Sequence, residues 1–179
     1  MNRSLLTLLA LAFTCLLSAQ NFTFSTQSKA SFAVGNMGFN TVEGTVGGAS
    51  GTATFEDGIL TAIKGCMDAK TIATGNGTRD NHLRDKEEFF NTAETPSICF
   101  SADKVTFVGK NSGATTYKLE GTLTLRGESN PVVLTVIEEE KGRLVSTFTV
   151  ERNRWGLGEG YPKFMIANDI EVQVDIHLE

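Results

Sequence analysis

Tyr117-Lys-Leu-Glu-Gly-Thr-Leu-Thr-Leu-Arg-Gly127-Glu-Ser-Asn-Pro131-Val-Val-Leu-Thr-Val136 is the stretch that decides the fold. Tyr117, Leu119, Gly121, Leu123 and Leu125 alternate with Lys118, Glu120, Thr122, Thr124 and Arg126, so a strand here has one buried and one wet face. Gly127 to Pro131 reads as a turn, and Val132, Leu134 and Val136 resume the alternation, which predicts a hairpin. The last segment repeats the pattern: Ile170, Val172, Val174, Ile176 and Leu178 against Glu171, Gln173, Asp175 and His177. A second hairpin is expected around Glu140-Lys-Gly-Arg143, leading into 144–150 with Phe148 inward. Ile98 and Phe100 begin another strand, continued by Val105 and Phe107 after a bulge near Ala102-Asp103.

The N-terminal half is similar but looser, with strand candidates at 22–25, 31–34, 41–46, 52–55 and 60–69 and glycines at 35, 38, 44, 47, 48 and 51. Glycine inside a strand marks a bend, a bulge or close backbone approach. Many short antiparallel strands with glycine corners argue for an all-β sandwich or closed barrel. One interruption stands out, running from Thr74-Gly-Asn-Gly-Thr-Arg-Asp-Asn-His-Leu-Arg84 to Phe89-Phe90: charge is dense and β-branched residues are scarce. It is expected to be a helical insertion around 78–90. Asp80 and Arg84 have i,i+4 spacing, Asp85 and Glu88 resemble a capping arrangement, and Leu83, Phe89 and Phe90 are placed to dock the insertion on the sheet.

The length of 179 residues fits one domain after processing. Arg3, an apolar run over 5–17 and Ser18-Ala19-Gln20 read as a secretory signal peptide cleaved after Ala19, leaving 20–179 as the domain. Its loss removes one arginine and no acid, moving the formal charge from −5 to −6. An acidic domain does not suit nucleic acid, which wants clustered Lys and Arg, nor attachment to an anionic membrane by charge alone. Cys66 and Cys99 remain. With Met67 and Phe100 facing the core, both would face outward, either as a cross-strand disulfide if their strands are neighbours or as two separate thiols.

Catalytic signatures are weak. His177 falls on the wet face of its strand, and His82 lies in the charged insertion beside Arg79, Asp80 and Arg84. No Gly-x-Ser-x-Gly nucleophile turn, phosphate-binding loop or metal-type His/Cys spacing occurs, so no metal and no cofactor are expected. The phenylalanines are more informative as a set. Phe32, Phe39, Phe55, Phe100, Phe107 and Phe148 occupy inward positions. A barrel of about eight strands is just wide enough to fill with side chains or to hold one small or elongated ligand. Gly44 and Gly121, on inward positions, would leave space in its lumen.

Taken in order, Ser31-Phe-Ala-Val34 with Met37-Gly-Phe39, Val42-Glu-Gly44, Ile72-Ala-Thr-Gly-Asn76, Arg79-Asp-Asn-His-Leu-Arg84 with Phe89-Phe90, Pro96-Ser-Ile-Cys-Phe100, Gly121-Thr-Leu-Thr-Leu-Arg-Gly127 and Arg152-Asn-Arg-Trp-Gly156 resemble the YceI-like family of exported lipid-binding proteins. The resemblance implies a lipocalin-like, eight-stranded antiparallel barrel that binds a polyisoprenoid or other long-chain amphiphile, in the periplasm or secreted, without catalysis. The implied wall residues are Phe32, Val34, Met37, Phe39, Phe55, Phe89, Phe90, Phe100, Phe107, Leu123 and Phe148, with Arg79, His82 and Arg84 as headgroup candidates. A homodimer is left open. The alternatives are an enzyme of isoprenoid or lipid metabolism using His82 and Asp80, and a ligand-free, stress-related barrel with a filled core.

Overall fold

The structure, a computed structural model, describes residues 19–140 and 142–179. The segment read as a signal peptide lies outside them apart from Ala19. Ten strands form one antiparallel sheet: β1 (Ala19–Thr23), β2 (Lys29–Asn36), β3 (Asn40–Val46), β4 (Ser50–Glu56), β5 (Ile59–Asp68), β6 (Ser97–Asn111), β7 (Ala114–Leu125), β8 (Glu128–Glu140), β9 (Arg143–Glu151) and β10 (Ile166–His177). The order across the sheet is β1-β4-β5-β6-β7-β8-β9-β10-β2-β3. Among the described residues there is a single α-helix, α1 (Gly77–Asp85), between β5 and β6.

Ten strands replace the eight expected because two segments break and change partners. At residues 24–28 the chain leaves β4, which pairs with β1, and joins β10 through β2. Buried Ser28 fixes this corner: its Oγ donates to the His177 carbonyl at 3.2 Å and accepts from the His177 N–H at 2.9 Å. At residues 47–49 the chain passes from β2 to β5, and Gly47 is held by the Thr71 hydroxyl at 2.7 Å and by the Asp68 N–H at 3.0 Å. These corners let the sheet curl into a half-barrel whose ends are tied by bridges between Phe24 and Leu178 and between Thr45 and Ala73.

The β7–β8 hairpin follows the expected alternation, with Tyr117 opposite Val136 and Leu119 opposite Leu134. Its turn is shorter than expected. Arg126 and Gly127 take φ values of 53° and 78°, the paired positive angles of a tight hairpin, so β8 already begins at Glu128. Pro131 therefore sits inside a strand. It is tolerated because β8 pairs with β9 only from Val136 onward, leaving the Pro131 edge without a ladder partner there. The bulge expected in β6 is present, as a register shift between Ala102 and Lys104.

One end of the barrel is filled. Tyr117 has no exposed surface and packs with Ala53, Phe55 and Leu60. Its hydroxyl donates to Glu138 Oε2 at 3.1 Å and accepts from the Leu60 N–H at 3.4 Å, so the buried polar tip is satisfied on both sides. Phe22 meets Phe55 edge-on at 5.7 Å. Gly44 and Gly121 do not open the lumen as expected. A Cβ on Gly44 would lie 2.3 Å from Phe32 Cζ, and one on Gly121 would lie 2.3 Å from the Ser101 carbonyl. These glycines let neighbouring groups approach closely; they are not the source of the empty space.

Cys66 stands directly opposite Cys99 in the β5–β6 ladder, and the two form a disulfide with a Cα separation of 4.0 Å. The bond spans 33 positions and encloses α1 and the two phenylalanines after it. Closing a loop of this length restricts the unfolded chain by about 3–4 kcal/mol. The double substitution Cys66→Ala and Cys99→Ala should lower the denaturant-derived stability by a comparable amount. An unchanged midpoint and slope would show that the bond contributes nothing to folding.

Candidate ligand-binding cavity

Above the filled end lies a cavity of about 600 Å³. Its base is formed by Leu119, Leu134, Val136, Leu144 and Ile176, and its walls by β2, β5, β6, β7, β9 and β10. Phe32, Val34, Phe100, Leu123 and Phe148 line it from the strands, and Phe89 and Phe90 from the segment after α1. Ile170, Val172 and Val174 of β10 complete the apolar wall through the same alternation that revealed the strand. The lumen is therefore not closed by side chains, which removes the filled-core expectation.

Four residues expected on the wall lie elsewhere. Phe55 is buried in the packed end below the cavity. Phe107 is paired with Tyr117, their rings 6.2 Å apart, so it is level with the packed end below the cavity, and it is exposed. Met37 and Phe39 occupy the β2–β3 turn and are exposed. Alternation assigns a face but not a height along the barrel, and these positions are too low or too high to reach the lumen.

The insertion forms one lip of the cavity. Asn76 caps α1, its Oδ1 accepting from the Arg79 N–H at 3.0 Å. Asp85 is the last residue of α1 and does not cap a second helix; the chain turns after it, and the Phe90 N–H returns to the Leu83 carbonyl at 3.0 Å. Leu83, Phe89 and Phe90 pack with Val46, Ile72 and Leu157, so the anchor is as expected. Asn76, Thr78, Arg79 and His82 provide the polar lining at this lip.

The charged groups divide by direction. Arg79 Nε donates to Thr74 Oγ1 at 2.8 Å, and its Nη2 to the Thr74 carbonyl at 3.0 Å. Thr74 in turn donates both its hydroxyl and its N–H to Asp80 Oδ1. The Thr74 hydroxyl bond is the main reason the Asp80 carboxyl is held below the usual aspartate range; the neighbouring Arg84 and Arg79 charges act in the same direction, while burial opposes them. Asp80 and Arg84 do not meet as the i,i+4 pair the spacing suggested. Arg84 donates instead to the Ile72 carbonyl at 3.0 Å and to Asn81 Oδ1 at 2.7 Å, and neither Asp80 nor Arg84 lines the cavity.

The other lip comes from residues 156–166. Arg152, 3% exposed, donates to the carbonyls of Ala167, Leu157, Gly158, Tyr161 and Ile166, so its five N–H bonds all go to main chain. Burial pushes its pKa down, with no carboxylate to oppose the shift, but a guanidinium stays charged at neutral pH. Tyr161 completes the rim, its ring 5.3 Å from that of Phe89. Trp155 is buried with Leu123, Leu125 and Val150, its indole N–H donating to the Leu123 carbonyl at 3.1 Å. Arg152 and Trp155 fall in a motif quoted above, but nothing in that motif reveals five carbonyl acceptors in the segment that follows it.

An antiparallel barrel filled at one end, hollow above and bordered by a helical lip defines a cavity-bearing β-barrel. The pattern of the YceI-like domain matches residues 23–178, and the chain belongs to that family. A UPF0312 protein of Azotobacter vinelandii is 29% identical over 105 residues, covering 58% of this chain and 52% of that protein. One of Yersinia enterocolitica is 31% identical with the same coverages, so the matched stretch spans about half the length of these curated relatives. The crystal structure of Burkholderia cenocepacia BcnA superimposes with a TM-score of 0.73 at 16% identity, over 86% of this chain and 96% of that one. A polyisoprenoid binding domain from Saccharophagus degradans, implicated in plant cell wall breakdown, gives 0.65 at 15% identity, over 89% and 97%.

The lowered Asp80 pKa fixes a sign. A depressed carboxyl contributes stability that is present above its unfolded pKa and lost as pH falls through the folded one. The Asp80 carboxyl should therefore titrate below a free aspartate by carbon-detected NMR, and the Thr74 amide should shift with it. Asp80→Asn should lower stability at neutral pH, and the deficit against wild type should shrink in strong acid; a deficit independent of pH would contradict this.

Proposed function

We propose that the chain binds one polyisoprenoid or similar long-chain amphiphile, its tail in the cavity and its polar end at the α1 lip. The observation that carries this is a mainly apolar cavity of about 600 Å³, within the range of ordinary small-molecule sites, with Asn76, Thr78, Arg79 and His82 at its α1 lip. Moving tail from water into such a wall gains roughly 0.8 kcal/mol per methylene. Family membership and the likeness to a polyisoprenoid binding domain support the same class of ligand.

Arg79 and His82 are the headgroup candidates that line the cavity, and an anionic group suits them. Arg84, occupied by Ile72 and Asn81, serves to hold the helix. The role is binding, with carriage or storage as its use, and not catalysis: Asp80, the proposed partner of His82 in an enzyme, is turned to Thr74 and away from the lumen. The apolar N-terminal run and the Cys66–Cys99 bond both suit export to an oxidising compartment such as the periplasm. Recovery of the full-length chain, with free thiols, from the cytoplasmic fraction would overturn that placement.

Two measurements test the binding site. Organic extraction of purified protein followed by mass spectrometry should release a long-chain amphiphile, and delipidated protein should take one up again; protein that neither carries nor binds one ends the proposal. Val172→Trp, which places an indole in the cavity, should weaken uptake at least roughly tenfold; Val172 also borders the Leu123, Val150 and Trp155 cluster, so an unchanged circular dichroism spectrum is the control that assigns the loss to binding.

In a separate comparison, Arg79→Gln should weaken binding of a prenyl phosphate several-fold and leave the corresponding prenyl alcohol nearly unaffected. Equal losses for both ligands would assign Arg79 to holding the lip and not to the headgroup.

A further inference from the structure

Two loops at the cavity rim expose large apolar side chains. Phe39 is 85% exposed, Phe164 65% and Met37 48%. They are neighbours through the main chain: the Met37 N–H and the Asn36 side-chain amide both donate to the Met165 carbonyl at 3.1 Å. The same loops line the cavity, since Asn36, Tyr161 and Ile166 form part of its wall. The exposed cluster and the apolar lumen are therefore continuous around one rim.

The charge on these loops differs from that of the whole chain. The segments 36–40 and 161–165 contain Lys163 and no acid, with Glu159 two positions before the second, in a chain of formal charge −5. Exposed aromatic tips flanking a single cation match the layering of a lipid surface, with apolar rings at the acyl boundary and an ammonium at phosphate level.

We propose that Phe39, Phe164 and Met37 form a membrane-docking tip that seats the cavity mouth on a phospholipid surface, where an amphiphile passes between bilayer and lumen. This rests on the proposed lipid cargo for its purpose but not for its detection. The tip is held by the β2–β3 turn and the Met165 carbonyl, so it projects without any rearrangement of the sheet.

The test uses flotation of the full chain with phosphatidylcholine vesicles, with and without phosphatidylglycerol. Wild type should float with both, and Phe39→Ser with Phe164→Ser should reduce the bound fraction roughly tenfold or more, since the two rings supply most of the apolar area. The same double variant should take up a dispersed, vesicle-free amphiphile as wild type does, because neither ring lines the cavity. Transfer of that amphiphile from vesicles should slow in parallel with flotation.

Equal flotation by wild type and variant, or none by wild type, overturns docking. If the chain sediments as a dimer that the double substitution dissolves, and does not float, the tip is a self-association surface and the membrane proposal fails. If wild type floats through these residues yet binds no amphiphile in any form, docking stands and the cavity function fails.

Discussion

A buried guanidinium carries the architecture of the open end. Arg152 gathers five carbonyls from residues that would otherwise form a long unpaired excursion between β9 and β10. Main-chain carbonyls away from water must find donors, and one arginine satisfies five of them at once. Placing a charge in the protein interior is costly without hydrogen bonds, and here the carbonyl dipoles face the cation from several directions. The excursion is thereby held as a wall. Tyr161 reaches Phe89, Leu157 packs with Phe90, and the Gly158 N–H donates to the Glu88 carbonyl, so the two lips brace each other. Arg126 joins the same brace through the carbonyls of Trp155, Gly156 and Glu87.

The two ends of the barrel solve opposite problems. At the closed end, Tyr117, Phe55 and Leu60 fill the lumen, and the one polar tip among them is bonded on both sides. At the open end, α1 and the 156–166 segment stand around the rim and leave the centre empty. The disulfide lies between these regimes, fixing the strand that leaves for the insertion to the strand that returns from it. The rings that fill the closed end do not line the cavity, whereas Leu119, Leu134, Val136, Leu144 and Ile176 belong both to the core and to the cavity base.

Much of the sheet was legible because alternation is a local property. Tyr117 to Leu125 and Ile170 to Leu178 show their faces in any short window. The two broken strands were harder, since the corner at Ser28 depends on His177, nearly the whole chain away. At the cavity, Phe32, Phe100, Leu123 and Phe148 were readable as inward, while Phe39 and Phe107 were not readable as beyond its ends. The charged insertion was located correctly, yet its pairing was misjudged. Helical spacing brings Asp80 near Arg84 on an isolated helix, but the Thr74 main chain and hydroxyl compete for the carboxylate. Arg152 lay within a quoted motif and still gave no sign of its role, because its partners are carbonyls, which every residue possesses.

The closed end has a consequence for selectivity. A lumen that stops at Leu119, Leu134, Val136, Leu144 and Ile176, backed by the packed Tyr117 and Leu60, is a cul-de-sac with a fixed depth, and so acts as a ruler for anything inserted tail first. Each added methylene gains free energy until the tip meets that floor; further atoms must remain in water or buckle against the wall. Affinity plotted against tail length should therefore rise and then flatten or fall. The position of that break is set by the aliphatic side chains at the base of the cavity, far from the charged lip where the sequence first draws attention.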